Sequence, residues 1–360
     1  MAFAGIRVGL VGPLPPPAGG MANQTRQLAE LLQSAQAQVT LVQTNAPYRP
    51  LWVGQVPGLR AVFRLLPYLW ALWRAAGRSD VLHIMANSGW SWHLFAAPAI
   101  WMARVRNVPV VVNYRGGEAA QFLQGAQAVV RRSMAASAGL LVPSAFLQEV
   151  FARFGMPAVI VPNIIDLARF HPRGAKAAQS AHIVVARNLE PLYDNSTAIR
   201  AFQTVQAQWP QARLTIAGSG PQEAALRQLV TDLGMQDCVR FTGRLDRDAM
   251  AVLYREADIM LNPSLADNMP NSVLESMASG VPVVSTDVGG VPYMVQDGVT
   301  ALLVPPAKPE AMAAACLRLL NDAGLWARLQ QAGLAEVQRY TWAQVAPLLV
   351  AHYRQAIQTK

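Results

Sequence analysis

The sequence predicts an α/β protein that consists of two doubly wound parallel sheets in separate domains. Its 360 residues are enough for two domains of roughly 100–200 residues each. Short runs of Val, Ile and Leu alternate with helix-length segments, which is typical of parallel sheets covered by helices on both faces. This alternation is found in both halves of the chain, so we expect each half to form its own sheet.

The predicted strands are short and almost continuously apolar. In the first half they are Ile6–Val11, Val39–Thr44, Val81–Met85, Val108–Tyr114, Gly139–Pro143 and Val159–Val161, and in the second half Ile183–Ala186, Arg213–Ala217, Val239–Thr242, Ile259–Asn262, Val281–Ser285 and Ala301–Val304. Helix-length segments such as Met21–Gln33 and Phe146–Phe154 separate the strands. Ligands of such sheets bind at the carboxyl ends of the strands, and we expect the two domains to face each other across a binding cleft.

The domain boundary is predicted near Phe170–Ala181, where His, Pro and Gly lead into a short Ala, Gln and Ser segment. The first domain then comprises residues 1–172 and the second residues 173–340. We expect the last helix, within residues 341–360, to cross back and join the first domain.

The composition excludes two classes of protein. With 52% hydrophobic and 14% charged residues, the chain is too apolar to be disordered. Its longest apolar runs, Leu65–Trp73 and Ala96–Ala103, are much shorter than the roughly 20 residues of a spanning helix. The N-terminus resembles a strand rather than a signal peptide, and Cys238 and Cys316 lack metal-site spacing. We therefore expect a cytoplasmic protein with reduced cysteines.

The excess of positive over negative charge lies entirely in the first half. Residues 1–175 contain 15 Lys and Arg against 5 Asp and Glu, whereas the remaining residues contain 15 against 16. Residues 58–78 combine four arginines with Trp, Tyr, Phe and Leu, which suits a helix lying on the anionic inner face of the cell membrane. A core-packing helix kinked at Pro67 explains the segment equally well. No pattern for binding nucleic acid is present.

The most informative segment is residues 262–290. A strand is followed by a loop with Asp267, and Pro270 then precedes a helix that contains Glu275. Both acids can reach one ligand at the sheet edge, and the backbone N–H groups of 271–273 can bind an anion. Alternatively, Asp267 caps the helix and Glu275 interacts with its dipole.

This segment resembles the donor-binding signature of the retaining GT-B glycosyltransferases of family four, in which two glutamates are separated by seven residues. Asp267 stands at the first position and Glu275 at the second, in a DN-x-PN sub-branch. The resemblance implies that Glu275 holds the nucleotide ribose and Asp267 the donor sugar. It also implies two Rossmann-like domains of the GT-B fold.

Other matches to this family extend along the chain. Gly19 and Gly20 follow the first strand, like the family's glycine-rich loop, and would let backbone N–H groups approach phosphates. Residues 161–172 resemble its interdomain segment, and Gly218 and Gly220 resemble its loop after the second strand of the second domain. Residues 241–244, ending in Arg244, match the next strand end.

The chain departs from the family at two positions near the expected diphosphate. Arg187 fits the usual arginine, but Tyr193 stands where a lysine is usual, so either another cation substitutes for the lysine or Tyr193 or Asn195 acts as a neutral donor. Arg115 stands where many relatives have a histidine. We predict that Arg115 replaces the missing cation, although it could equally be a surface arginine at a strand end.

Some charged and titratable residues have simpler explanations. Asp246–Arg247–Asp248 resembles a metal-binding Asp-x-Asp motif, but it directly precedes a helix and is predicted to be an N-cap with an acid in the first turn. The five histidines are scattered, which is more typical of structural or exposed side chains. Among them we select His83, together with Asn87, as candidate acceptor contacts.

The resemblance implies a metal-independent retaining hexosyltransferase that needs no cofactor. Its predicted partners are a nucleotide sugar, with UDP favoured, and a glycan or lipid-linked acceptor of the cell envelope or an exopolysaccharide. Asp267, Glu275, Arg187 and Arg115 are the predicted catalytic residues. The predicted donor-binding residues are Gly19, Gly20, Tyr193, Asn195, Gly218, Gly220, Arg244, Asn268, Pro270, Asn271, Ser272 and Val273.

Two alternative functions share this scaffold. A nucleotide-sugar 2-epimerase would retain the nucleotide contacts, but the loop with Asp267 and Glu275 favours transfer. A degenerate glycosyltransferase would bind nucleotide or glycan without turnover, and Tyr193 in the lysine position is the argument for it. A periplasmic two-lobed binding protein fits less well, because no export signal is recognised.

Overall fold

A computed structural model describes residues 3–16, 19–48, 50–56, 59–172 and 181–359. The chain divides into two compact units. The first comprises Met1–Asn163 together with Trp342–Lys360, and the second comprises Ile164–Thr341. Each contains a six-stranded parallel sheet with helices, so the predicted pair of Rossmann-like domains is confirmed.

The sheet of the first unit has the strand order β2-β1-β3-β4-β5-β6. Its strands are β1 (Arg7–Gly12), β2 (Gln38–Gln43), β3 (Val81–Ala86), β4 (Val110–Tyr114), β5 (Gly139–Val142) and β6 (Val159–Ile160). The two central strands β3 and β4 are buried along their whole length, which explains their continuous apolar sequence. All neighbouring strands are parallel, so their carboxyl ends meet at one edge of the sheet.

The helices of the first unit are α1 (Gly20–Ser34), α2 (Leu59–Ala76), α3 (Ala97–Val105), α4 (Ala119–Met134), α5 (Ala145–Arg153) and α12 (Trp342–Gln358). Although α12 is last in the sequence, it packs against β3 and β4. Its Trp342 stacks on Phe3, with ring centroids 5.5 Å apart, and Tyr353 contacts Phe3 edge to face. The C-terminal helix therefore completes the core of the first unit.

The sheet of the second unit has the order β12-β11-β10-β7-β8-β9 and is again parallel throughout. Its strands are β7 (His182–Ala186), β8 (Arg213–Ala217), β9 (Val239–Gly243), β10 (Ile259–Asn262), β11 (Val283–Thr286) and β12 (Leu302–Val304). Its helices are α6 (Asn195–Gln208), α7 (Glu223–Asp232), α8 (Arg247–Glu256), α9 (Asn271–Ala278), α10 (Pro309–Asn321) and α11 (Ala323–Glu336).

The boundary between the two units lies earlier in the sequence than the predicted residue 172. The division lies between Asn163 and Ile164, because the residues that follow pack into the second unit. Ile165 and Phe170 are buried in its core, and the Phe170 ring lies 6.1 Å from that of Tyr254. The Ile165 N–H also donates to the Tyr340 carbonyl. Most of the predicted linker, residues 173–180, lies outside the described residues.

No helix in the described part of the chain is both long enough and apolar enough to cross a membrane. Helix α2 continues through Pro67, and its own side chains Tyr68 and Leu72 are buried. Cys316 is fully buried and Cys238 partly buried, and both are free thiols.

Candidate active site

The carboxyl edge of the second sheet collects most of the predicted donor-binding residues. β10, β7 and β8 are neighbours in this sheet, so the loops that follow them meet at one place. The β7 loop supplies Arg187 and Tyr193, and the β8 loop supplies Gly218 and Gly220. The β10 loop carries Asp267 and leads into α9. This is the edge at which parallel sheets bind ligands.

Arg187 is the most highly connected side chain of this edge. It forms an ion pair with Asp267, and the two side chains are only 10% and 13% exposed. Its Nε and Nη2 donate to the Ser264 Oγ at 3.2 and 2.9 Å, and its Nη1 donates to the Ser272 Oγ at 3.3 Å. The guanidinium also stacks on the Tyr193 ring, 4.4 Å from the centroid. Burial lowers the pKa of Arg187 to about 10, so it remains charged at neutral pH.

Asp267 does not cap α9, and that alternative is wrong. The N-cap is Pro270, which offers no side-chain acceptor. The Asp267 carboxylate instead accepts from the Asn268 N–H at 3.0 Å and pairs with Arg187. Asn268 and Pro270 are buried residues of this loop, and Asn271, Ser272 and Val273 form the first turn of α9.

Glu275 lies one turn further along α9, beside the hydroxyl of Tyr254 on α8. Burial raises the pKa of the Glu275 carboxyl to about 7, and the nearby Arg247 guanidinium and Tyr254 hydroxyl partly oppose this rise. A carboxyl group with a pKa of about 7 is half ionised at neutral pH, so a bound ligand can shift its protonation.

The glycines predicted in the loop after the second strand of the second domain are required for backbone packing. A Cβ on Gly218 would lie 1.9 Å from the Arg187 carbonyl oxygen, and one on Gly220 would lie 2.3 Å from that of Leu189. Two further glycines support the acid loop in the same way, since Cβ atoms on Gly289 and Gly290 would lie 2.0 Å from the carbonyl oxygens of 267 and 268. These four close contacts fix the backbones that carry Arg187 and Asp267.

The remaining predicted donor residues of the second unit are placed differently. Asn195 is buried at the start of α6 and its Nδ2 donates to the Asn188 carbonyl at 3.0 Å, so this amide holds the loop. Arg244 is exposed just after β9, the edge strand. Asp246 accepts from the Ala249 N–H at 2.8 Å, which confirms the predicted N-cap. Among the described residues, no three His, Cys, Asp or Glu side chains are grouped to hold a metal ion.

In the first unit, Arg115 directly follows β4 at the carboxyl edge of the sheet. Its Nε donates to the Asn113 Oδ1 at 2.8 Å, and its Nη1 contacts the Asn163 Oδ1. Burial lowers the pKa of Arg115 to about 10. Within the described ranges, no carboxylate forms an ion pair with it. Arg115 is therefore a cation that neutral amides hold in place.

Other groups surround Arg115 at this edge. Asn87 follows the neighbouring strand β3, and its Oδ1 accepts from the Ser88 N–H at 2.8 Å. A Cβ on Gly116 would lie 2.5 Å from the Asn87 Oδ1, so a larger residue there would displace the Asn87 side chain. Gly19 is the N-cap of α1, which begins at Gly20 without a side-chain cap. The beginning of that loop, Pro17–Ala18, lies outside the described residues.

His83 does not have the acceptor-facing position that we predicted for it. The side chain is 0% exposed, and both ring nitrogens lie within hydrogen-bonding distance of protein groups. Its polar neighbours, Asn113 and Tyr353, come from β4 and α12. The sequence could not reveal this arrangement, because Tyr353 is 270 residues away.

Comparison with known families covers both units. Residues 18–169 match the model described as Glycosyltransferase Family 4, and residues 181–322 match the model described as Glycosyl transferases group 1. The chain belongs to the family-four glycosyltransferases. The predicted family is therefore confirmed, whereas the DN-x-PN sub-branch stays a prediction.

Two curated relatives illustrate the range of this family. A D-inositol 3-phosphate glycosyltransferase of Streptomyces bingchenggensis is 29% identical over 218 residues, which cover 56% of this chain and 48% of that protein. The match thus spans about half the length of that relative. A phosphatidyl-myo-inositol mannosyltransferase of Mycolicibacterium smegmatis is 27% identical, with 97% of this chain and 93% of that protein covered.

Solved glycosyltransferases share the fold of this family-four chain. The sucrose-phosphate synthase of Thermosynechococcus elongatus superposes with a TM-score of 0.79 at 20% identity, covering 99% of this chain and 100% of that one. HepE of Anabaena, solved in complex with UDP, superposes with a TM-score of 0.73 at 15% identity, covering 96% and 99%. At these identities the likeness establishes the fold alone, which is the predicted GT-B fold.

Proposed function

We propose that this glycosyltransferase moves a sugar, with retention of configuration, from a UDP-sugar to a glycan or lipid-linked acceptor in cell-envelope or exopolysaccharide synthesis. The observation that carries the proposal is the group of Arg187, Asp267 and Glu275 at the carboxyl edge of the second sheet. One cation and two acids, held by buried serine and tyrosine side chains, provide contacts for a diphosphate and for sugar hydroxyls. The related HepE was solved with UDP, which supports UDP as the nucleotide.

Each of these side chains has a proposed role in the reaction. The Glu275 carboxylate accepts hydrogen bonds from the ribose hydroxyls, Asp267 accepts from the transferred sugar, and Arg187 donates to the diphosphate. The bond between the anomeric carbon and the phosphate oxygen breaks, and the acceptor oxygen bonds to that carbon on the same face. The acceptor proton passes to the departing phosphate oxygen, so no protein nucleophile is needed.

We propose that positive side chains, rather than a metal ion, stabilise the departing diphosphate. Arg187 is charged at neutral pH although it is largely buried, and Arg115 is a second, partly buried cation that no described carboxylate neutralises. Preorganised donors of this kind stabilise developing charge strongly, because they need no reorganisation during the reaction.

A thermal-shift screen of the purified protein tests the donor site. UDP, GDP, ADP and their sugars are each added in the presence of a chelator. A ligand at a hundredfold excess over its dissociation constant stabilises the folded protein by about 2.7 kcal/mol. We expect UDP or a UDP-sugar to raise the melting temperature and Glu275→Ala to abolish the shift. If no nucleotide raises it, the proposed donor site is wrong.

A scaffold that binds nucleotide without turnover is the second candidate, favoured by Tyr193 in place of the usual lysine. The contact of Tyr193 with Arg187 argues against decay, because this ring covers one face of the guanidinium. The Tyr193→Lys variant separates the two. We expect a loss of transfer activity, since the stack is lost, whereas a large gain would identify a decayed site.

We also propose that the first unit contacts an anionic membrane through α2. Five exposed apolar side chains form one stripe along this helix, and the exposed Arg74 stacks on one of them, Trp70, at 4.5 Å. The stripe consists of Val62, Phe63, Leu66, Trp70 and Trp73. Aromatic and apolar groups beside arginines are typical of helices in a membrane interface. This contact would place the enzyme in the cytoplasm at the inner face of the cell membrane.

Vesicle flotation tests the membrane contact. We expect the protein to float with vesicles that contain anionic lipid and to remain unbound with zwitterionic vesicles. The double variant Leu66→Gln and Trp70→Gln should abolish flotation. Val129→Gln is the matched control, since Val129 is 53% exposed on α4 of the same unit and outside the stripe. Equal binding of both variants would show that α2 is not the contact.

A further inference from the structure

A continuous row of buried polar groups connects the C-terminal helix to Arg115. The Tyr353 hydroxyl on α12 lies 2.8 Å from the Nδ1 of His83 on β3, and the His83 Nε2 lies 3.1 Å from the Asn113 Nδ2 on β4. The Asn113 Oδ1 then accepts from the Arg115 Nε at 2.8 Å. Tyr353 and His83 are 0% exposed and Asn113 is 1% exposed, so water does not compete for these contacts.

The chemistry of Arg115 sets the direction of every hydrogen bond in this row. A guanidinium can only donate, so the Asn113 atom that faces it must be the amide oxygen. The Asn113 amide nitrogen, which also only donates, therefore faces the His83 Nε2. This Nε2 must carry a lone pair, and the ring proton must lie on Nδ1 and point to the Tyr353 oxygen.

The surroundings of His83 keep its ring neutral. The pKa of His83 falls to about 3, mainly because the ring is buried and also because Arg115 is positively charged. A proton on Nε2 would also face the Asn113 amide N–H group, which cannot accept it. One neutral tautomer of His83 is therefore compatible with the row.

We propose that His83, Asn113 and Tyr353 are positioning residues that hold the Arg115 guanidinium in place, and that His83 does so as its Nδ1–H tautomer. The functional part of this inference depends on the proposed function, in which Arg115 stabilises phosphate charge. It makes α12, the last helix of the chain, a functional part of the first unit. It also replaces the acceptor contact that the sequence predicted for His83.

The variant Tyr353→Phe tests this inference, because it changes a residue on α12 that is far from Arg115 in the sequence. Without the hydroxyl, the buried His83 Nδ1–H has no acceptor, while Arg115 still requires the Asn113 amide oxygen, so the Nδ1–H tautomer is retained with an unpaired donor. A buried unpaired donor is costly, so we expect the His83 ring to move, and the Asn113 amide and the Arg115 guanidinium to move with it. We expect kcat to fall about tenfold while the donor KM changes little, since small displacements of a catalytic group cost up to about 100-fold.

Tyr68→Phe is the matched control. Tyr68 is 3% exposed in the same unit, and its hydroxyl donates to the Phe95 carbonyl at 2.8 Å, with no connection to Arg115. Both variants remove one buried tyrosine hydroxyl, so both should lower the melting temperature by a similar amount. Only Tyr353→Phe should lower kcat. An equal effect of both variants on kcat would overturn the positioning role.

Nitrogen-15 NMR of the histidine rings gives a readout that needs no enzymatic activity. We expect His83, assigned by comparison with His83→Gln, to show a protonated Nδ1 and an unprotonated Nε2 in the wild type. Tyr353→Phe should keep this tautomer but shift the Nδ1–H resonance, because the proton loses its acceptor, whereas Tyr68→Phe should leave both the tautomer and the resonance unchanged. An Nε2–H tautomer in the wild type would overturn the inference even if Tyr353→Phe fails to fold. If neither the wild type nor any variant transfers sugar but the tautomer is as expected, the proposed function is wrong and the hydrogen-bond row is still supported.

Discussion

Both units hold a partly buried arginine at the carboxyl edge of the sheet, but they compensate its charge in different ways. Burial lowers the pKa of Arg187 and of Arg115 to about 10. Arg187 pairs with the Asp267 carboxylate, whereas Arg115 is held by the neutral amides of Asn113 and Asn163. An ion pair leaves no net charge for a ligand until the pair opens, while amides leave the full charge in place.

This difference suggests two ways of binding phosphate. A donor that approaches Arg187 must replace Asp267, and the released carboxylate is then available for sugar hydroxyls. A phosphate that approaches Arg115 has no carboxylate to displace, because the amide oxygens beside this arginine carry no negative charge. The second unit would thus exchange partners during binding, whereas the first unit would offer a fixed cation.

Replacing each arginine by methionine should reveal the difference between the two units with the largest effects on activity and stability. Arg187→Met removes a preorganised charge from the proposed diphosphate site, so we expect kcat/KM to fall about 100- to 1000-fold. It also leaves Asp267 buried without its cation, which should cost about 3 kcal/mol of stability. Arg115→Met leaves only amides behind and should cost less stability. Steady-state kinetics and urea unfolding measure these effects.

Arg200→Met is the control for both variants, because Arg200 is exposed on α6 of the second unit. It should leave both kinetics and stability unchanged. If Arg187→Met were as stable as Arg115→Met, the Asp267 carboxylate would not depend on Arg187 for compensation.

Acid should destabilise the folded protein through His83, although the ring itself stays neutral in the folded state. The His83 pKa is about 3 in the folded protein against 6.5 for the free side chain. The unfolded chain therefore binds the proton first, and stability falls as the pH drops below 6.5. Between pH 7 and 5 this linkage amounts to about 2 kcal/mol. Urea unfolding at both pH values should show the loss in the wild type, and a much smaller loss in His83→Gln.

His352→Gln provides the comparison for that measurement. His352 is partly exposed on α12 of the same unit, and burial lowers its pKa as well. We expect this variant to retain most of the wild-type loss between pH 7 and 5. A loss that disappears equally in both variants would mean that His83 is not the main titrating group.

The strands could be predicted from the sequence, but the unit boundary could not. The predicted ends of all the strands agree with the observed ends to within two residues, because buried parallel strands are short, continuous apolar runs. The assignment of Ile165 and Phe170 to the second unit depends on long-range contacts, such as the hydrogen bond to Tyr340. No periodic pattern records such contacts.

The site shows the same division. The spacing of Asp267 and Glu275 on a strand, loop and helix could be recognised from the sequence. Ser264 and Tyr254 were missed, because a serine after a strand or a tyrosine on an apolar helix face carries no signal of its partner. The tautomer of His83 depends on three elements that meet only in the folded chain.

Nucleotide-sugar affinity should depend on the ionisation of Glu275. Burial raises its pKa to about 7, and only the carboxylate form can accept from two ribose hydroxyls. The group is ionised above that pH, so affinity should fall about tenfold between pH 8 and pH 6. Calorimetric titration of UDP-glucose at both values measures this fall.

Glu275→Gln should bind more weakly at pH 8 and should lose this pH dependence. Arg247 and Tyr254, the other titratable groups beside the carboxyl, remain in the variant. An affinity that is equal at pH 8 and pH 6 in the wild type would show that Glu275 binds the donor in its neutral form.

The partner exchange at Arg187 predicts a small effect whose sign is decisive. Asp267→Asn keeps the size of the side chain and an acceptor oxygen for Arg187, but it removes the negative charge that a diphosphate must displace. We expect UDP to bind about threefold more tightly to this variant, because the ligand no longer competes with a carboxylate. Sugar transfer should nevertheless decline, since Asp267 is the proposed acceptor for the sugar hydroxyls. Ser264→Ala, which removes a neutral contact of Arg187, should instead weaken UDP binding. If both variants bound UDP more weakly than the wild type, Asp267 would be orienting Arg187 rather than competing with the ligand. The carboxylate beside Arg187 and the amides beside Arg115 would then serve the same purpose, which is to orient a guanidinium.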